Sequence, residues 1–189
     1  MIRKIGLILI FLSSLYLVSL YLSKKSIVKE ETVKISNFLN IEKDNINLSK
    51  RDKNNYYMIL EIPKINLKKG LYSIDSNLNN VDFNLEILSS SSMPDTQNSN
   101  LIIAGHSGTS EVSYFKNLYK LTKDDYCYIY YNGSKYIYQI TNIYSQPKIG
   151  KITIYRDNNL KTLTLITCTL NNNNMQTVYI GNLVNMETY

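Results

Sequence analysis

The chain has one histidine, His106, and two cysteines, Cys127 and Cys168, among 189 residues. Two thiols exclude a disulfide-rich scaffold and an all-cysteine zinc site. One imidazole excludes histidine-rich metal centres, and any chemistry that needs an imidazole must use His106. Three arginines (Arg3, Arg51, Arg156) against eighteen lysines speak against an arginine-rich base reader. Charged residues make up 19% and hydrophobic ones 44%, which excludes a fully disordered chain. The length allows one domain, two at most. The formal charge of +6 suits nucleic acid, an anionic membrane surface or a cell wall, and does not choose among them.

From Ile5 to Leu22 the sequence IGLILIFLSSLYLVSLYL carries no charge. Arg3 and Lys4 precede it; Lys24 and Lys25 follow. Roughly 20 apolar residues span a bilayer, and this run comes close. A soluble core helix would show a polar face, and none is present. A cleaved signal peptide is the competing reading, but it needs a small-x-small site. The run ends instead in Leu20, Tyr21 and Leu22. Neither cysteine lies near the N-terminus, so there is no lipobox. The expectation is a membrane anchor over 1–23, single-pass, with the bulk of the chain extracytoplasmic. Residues 24–55 are polar, and Ile27, Val28, Ile35, Phe38 and Leu39 make a thin helical stripe. This segment reads as a partly helical stalk, with a flexible linker as the alternative.

From Tyr56 the pattern changes to short runs rich in Ile, Tyr, Val, Leu and Thr. Expected strands are Met58–Ile62, Gly70–Tyr72, Leu85–Leu88, Leu101–Ala104, Tyr126–Tyr131, Tyr136–Tyr144, Thr162–Thr167 and Thr177–Val184. Asn132-Gly133 between two Tyr-rich runs is a hairpin signal, because both residues tolerate the positive φ of a type I′ turn. Pro63 ends the first strand, and Ser89–Asn100, with Pro94, reads as a loop. A helix is expected over Ser113–Leu121, with Ser113 as cap and Phe115, Leu118 and Tyr119 on one face. The fold class is mainly β, a barrel or sandwich over 56–189 with one or two short helices.

Cys168 ends the strand Thr164-Leu165-Ile166-Thr167-Cys168, before a polar Asn171–Asn174 loop. His106 follows a strand in Gly105-His106-Ser107-Gly108, where glycines permit a sharp turn and close approach. A lone cysteine is usually a small buried hydrophobe, and a lone loop histidine is usually solvated. Here both sit at strand exits. A Cys and a His close in space make an activated thiol, since the thiolate is the nucleophile.

Leu60-Glu61-Ile62-Pro63-Lys64-Ile65-Asn66-Leu67 resembles the start of the sortase catalytic domain. Leu101–Gly108 resembles the strand and loop of its catalytic His, Phe115-Lys116-Asn117-Leu118 and Leu121 its following helix, and Thr164–Cys168 its TLxTC signature. The resemblance covers about residues 57 to 184, in family order. It implies an eight-stranded β-barrel and a cysteine transpeptidase, anchored by its N-terminus on a Gram-positive-type cell surface. Such enzymes cut a C-terminal sorting signal such as Leu-Pro-x-Thr-Gly, form a thioacyl-enzyme and pass it to an amine.

Carried onto this chain, Cys168 is the nucleophile and His106 the acid that protonates the leaving amine. Thr167 and Ala104 flank them as substrate-binding positions. The family's catalytic arginine, on the last strand, falls at Gln176, and no arginine occurs after Arg156. Glutamine can donate from its amide but carries no charge. Arg156 reads as a solvated loop charge, with a substitute for the lost arginine as the alternative. Cys127 reads as a packed thiol. The implied partners are sorting-signal-bearing surface proteins, an amine acceptor such as a cell-wall peptide, and the membrane. Nucleic acid, cofactor and metal are not expected. Two rivals stand beside a transpeptidase: an impaired, binding-only module, for which the lost arginine is the warrant, and a thiol protease ending in hydrolysis.

Overall fold

The structure, a computed structural model, describes residues 2–43 and 55–189, with the side chains of 2–8, 41–43 and 173 outside the described set. Alternating and fully apolar runs from residue 58 onward set down strands: β1 (Met58–Ile62), β2 (Leu67–Leu71), β3 (Glu86–Ile87), β4 (Asn100–Ala104), β5 (Tyr126–Tyr131), β6 (Ser134–Pro147), β7 (Thr162–Thr169) and β8 (Asn172–Thr188). They form one eight-stranded sheet in the order β2-β1-β5-β6-β8-β7-β4-β3. The sheet curls into a nearly closed barrel. The buried Asn84 side chain spans the remaining gap, donating from Nδ2 to the Gly70 carbonyl at 2.8 Å. Asn132 and Gly133 turn β5 into β6 with φ of 53° and 71°, as the hairpin signal predicts.

Strand β7 is buried from Thr162 to Thr167. It lies between β8 and β4 and is covered on both faces, which explains its run of apolar and small residues. Leu163 and Leu165 point into the barrel core beside Leu101, Ile103 and Tyr179. Ile166 points outward into a second cluster with Ile102, Val178 and Ile180, covered by Tyr144 and Ile154. The β4–β7 pair is parallel, with Ala104 opposite Ile166.

The expected helix at Ser113–Leu121 is instead a series of turns ending in a 3₁₀ turn, Leu118–Lys120. The buried residues Phe115, Leu118 and Leu121 recur every third position, the period of a 3₁₀ turn, while Tyr119 is 51% exposed. Ser113 caps no helix; its hydroxyl pairs with that of Ser110 at 2.8 Å.

The N-terminal segment forms one α-helix, α1 (Ile2–Lys43). Its second half docks on the barrel. Ile35 and Phe38 are buried with Tyr56 and Ile59. Glu31 accepts from Tyr56 Oη (2.6 Å), Lys69 Nζ (2.8 Å) and the Gly70 N–H (3.3 Å). A Cβ at Gly70 would fall 2.2 Å from the Tyr56 ring, so glycine makes room for this seat. Ile27 and Val28, the other half of the expected stripe, are exposed. The stalk residues 44–54 lie outside the described residues. Among the described residues no helix is long and apolar enough to cross a membrane. The expected anchor begins at residues 5–8, whose side chains are outside that set.

Candidate active site

Parallel pairing decides where the candidate residues meet. With Ala104 opposite Ile166, His106 and Cys168 each lie two residues beyond the pair and leave the sheet at one rim. Hydrogen bonds then stitch the histidine loop to β7. The Gly105 N–H donates to the Ile166 carbonyl (3.1 Å), and Thr167 Oγ1 donates to the Gly105 carbonyl (2.8 Å). Ser107 Oγ donates to the Cys168 carbonyl (2.9 Å), and the Phe115 N–H to the His106 carbonyl (2.9 Å). Glycine is required at 105: a Cβ there would sit 2.4 Å from Leu85 Cδ2 and 2.8 Å from Phe115 Cδ2.

Cys168 is a half-buried free thiol. It borders a cavity of about 160 Å³ with Ser107, Thr167, Phe115, Tyr119 and Tyr179. Ala104 ends β4, half-buried, and does not border this cavity. Thr167 does, but its hydroxyl is committed to Gly105. His106 is 43% exposed, and its Nε2 lies 3.6 Å from Asp82 Oδ1. The described hydrogen bonds include none between His106 and Cys168.

Gln176 stands directly opposite Cys168 on β8, so both side chains leave the same face. Its amide is turned to the β6–β7 segment, where Nε2 donates to the Lys151 carbonyl at 3.3 Å. The cationic group against the thiol is Lys148, with Nζ 3.7 Å from Cys168 Sγ. Sequence reasoning missed Lys148 and Asp82. Both are loop residues of common type, and no local pattern marks either.

Arg156 is not a solvated charge. Its guanidinium donates to the carbonyls of Asn98 (3.2 Å), Leu160 (3.1 Å) and Ser99 (3.4 Å) and to Thr162 Oγ1 (3.3 Å). Thr162 begins β7 and Cys168 lies six residues on, about 20 Å along an extended strand. Arg156 therefore latches the far rim. Cys127 is fully buried in β5, and burial pushes its thiol up, away from the reactive thiolate. Among the described residues no cluster of His, Cys, Asp or Glu could hold a metal ion.

A nearly closed eight-stranded barrel with a cysteine and a histidine leaving the sheet at one rim defines a narrow class of proteins. Residues 60–184 match the sortase domain, and the chain belongs to the sortase family of cysteine transpeptidases. Among solved structures it is similar to the sortase A lid mutant of Corynebacterium diphtheriae, at 23% identity and TM-score 0.64, covering 74% of this chain and 75% of that one. It is similar too to a Clostridium perfringens sortase D5 transpeptidase, at 22% identity and TM-score 0.64, covering 82% and 98%. Streptococcus pneumoniae sortase C matches at 22% identity and TM-score 0.59, over 67% of this chain and 65% of that one. At these identities the likeness is one of fold. No curated protein matches the chain.

Proposed function

We propose that this protein is a sortase-type transpeptidase that cleaves a C-terminal sorting signal and transfers it to an amine at the cell surface. The observation that carries this reading is the parallel β4–β7 register, which sets His106 and Cys168 two residues past one backbone pair. In the first half-reaction the Cys168 thiolate attacks the scissile carbonyl carbon. The tetrahedral adduct collapses as His106 gives a proton to the leaving amine, leaving a thioacyl-enzyme. In the second, an acceptor amine attacks the thioester, loses a proton to the imidazole and releases the thiolate. Backbone N–H groups near Cys168 are the neutral donors on the oxyanion side, and Gln176, in the family's arginine position, holds the β6–β7 segment beside them. Thr167, which borders the cavity beside Cys168, lines the approach of the substrate.

Residues 1–23 anchor the enzyme in the membrane, with the barrel outside the cell. Support comes from Leu9, Phe11, Tyr16, Leu17 and Tyr21, which are between 62% and 67% exposed around α1. A helix apolar on every side needs lipid or protein to cover it.

The test is incubation of the full chain, in detergent micelles, with LPxTG-type peptides, read by intact-protein mass spectrometry. An adduct on Cys168 that disappears when an amine is added, with ligated product formed, is the expected result. Adduct followed by hydrolysis alone would make it a thiol protease. No adduct with any sorting peptide, despite binding, would make it a binding module.

A further inference from the structure

We infer that Lys148 is a catalytic residue of this site: its ammonium lies against the Cys168 sulfur and stabilises the negative charge on it as the thiolate attacks, where β8 offers only the neutral Gln176. The inference deepens the thiol chemistry proposed above and rests on that reading for its role in turnover.

The geometry is built from three neighbouring strands. Gln146 on β6 pairs with Gln176 on β8, and Gln176 pairs with Cys168 on β7. One row thus crosses the sheet and ends at the thiol. Lys148 lies two residues past Gln146, and its N–H donates to the Asn174 carbonyl at 2.8 Å. That bond fixes where its side chain starts. The segment beyond folds back on the sheet. Gln146 Nε2 donates to the Thr153 carbonyl (3.2 Å), and the Thr153 N–H returns a bond to Gln146 Oε1 (3.0 Å). Tyr144 Oη donates to the Thr153 carbonyl (2.7 Å) and accepts from the Tyr155 N–H (3.0 Å). Gln176 closes the set through Lys151. Its amide is thus a positioning group for the loop that carries the cation.

Other charges near the thiol arrive from different elements. His106, with Asp82, comes from the β4 side. Lys116 borders the same cavity, and Lys151 belongs to the Lys148 segment. Among the described residues, Lys148 is the one whose charged atom contacts the sulfur. A unit charge about 4 Å away in water-like surroundings is worth about fivefold in the rate of a step that runs through a negative sulfur.

The test reads the thiol itself and needs no peptide. The full chain in micelles is alkylated with iodoacetamide across pH, and the rate at Cys168 is followed by mass spectrometry. Cys127 is fully buried and does not compete. Lys148→Met should slow alkylation about fivefold at neutral pH, the worth of a unit charge about 4 Å from the sulfur. Lys148→Arg should restore the profile, and 1 M salt should shrink the difference by screening. Lys135→Met, on the β5–β6 hairpin, should leave the profile in place. A Lys148→Met profile superimposed on wild type, or no rescue by arginine, overturns the inference. Slowed alkylation with no acylation by any sorting peptide supports the Lys148–Cys168 pair and overturns the transpeptidase reading instead.

Discussion

Removing the Glu31 carboxylate should detach α1 from the barrel without unfolding the barrel. Glu31 is 23% exposed and Lys69, its partner, 12%. The same carboxylate accepts from Tyr56 Oη and the Gly70 N–H. Burial first, and Glu31 second, push the Tyr56 phenol up, so it stays a neutral donor here. In Glu31→Ala the Lys69 ammonium and two donors lose their acceptor together. Breaking a fully buried pair costs about 3–5 kcal/mol. At this partial exposure about 2–3 kcal/mol is expected, close to one charge-assisted bond. That corresponds to about 30- to 150-fold more frequent opening of the helix. Hydrogen–deuterium exchange over residues 28–40 reads this directly, because local opening sets amide protection. Glu31→Gln, which keeps an acceptor but not the charge, should fall between. Strand amides of β7 should keep wild-type protection in both. Protection over 28–40 within twofold of wild type in Glu31→Ala would refute the reasoning and leave Ile35 and Phe38 as the seat.

Cys168→Ala should abolish thioacyl capture while Cys127→Ala keeps most of it; equal losses with folding intact would reverse the assignment. Arg156→Ala should lower the unfolding free energy by about 1–3 kcal/mol through its lost bonds and change acylation less than twofold, measured by denaturation and peptide kinetics. A fragment starting at Tyr56 should fold cooperatively but melt below one starting at Lys24, because Tyr56 and Ile59 lose their helical cover; equal midpoints would mean that the docked helix adds nothing. Gln176→Ala should slow acylation about fivefold to tenfold and slow iodoacetamide alkylation the same way as Lys148→Met. Gln176→Arg should retain or raise activity. Wild-type acylation in Gln176→Ala together with a large loss in Arg156→Ala would show the wrong residue was chosen.

Much of the barrel was legible because its strands obey short-range rules. Asn132-Gly133 carries its turn in two residues, and Thr162–Thr167 advertises a doubly covered strand through its lack of charge. The rim was legible through scarcity, since one histidine and one strand-end cysteine left little choice. The turns at 113–121 were misread because Phe115, Leu118 and Leu121 satisfy a helical stripe and a three-residue spacing alike. Long-range partners were not legible. The stripe on α1 pointed to a buried face, but Tyr56 and Gly70 as its seat depend on how β1 and β2 pair. Arg156 looked solvated because its acceptors are carbonyls of Asn98, Ser99 and Leu160, and backbone acceptors leave no trace in composition.

The two halves of the candidate site are held by different means, and this bears on how each can vary. His106 and Cys168 are set by backbone pairing of β4 with β7 and by bonds from Gly105, Ser107 and Thr167. A shift there would break a parallel ladder buried on both faces, so the backbone positions of Cys168 and His106 are rigid relative to each other. The positive charge is set by side chains instead. Lys148 sits on an exposed segment tied down by Gln146, Tyr144 and Gln176, and no core contact fixes its head group. A charge at this position can therefore come from the β6–β7 segment as readily as from β8, provided a neutral residue on β8 anchors the loop. Gln176 does that through Lys151 and leaves the face opposite Cys168 uncharged. An arginine there would add a second cation at the thiol beside Lys148, and for that reason Gln176→Arg is expected to retain or raise activity rather than lower it.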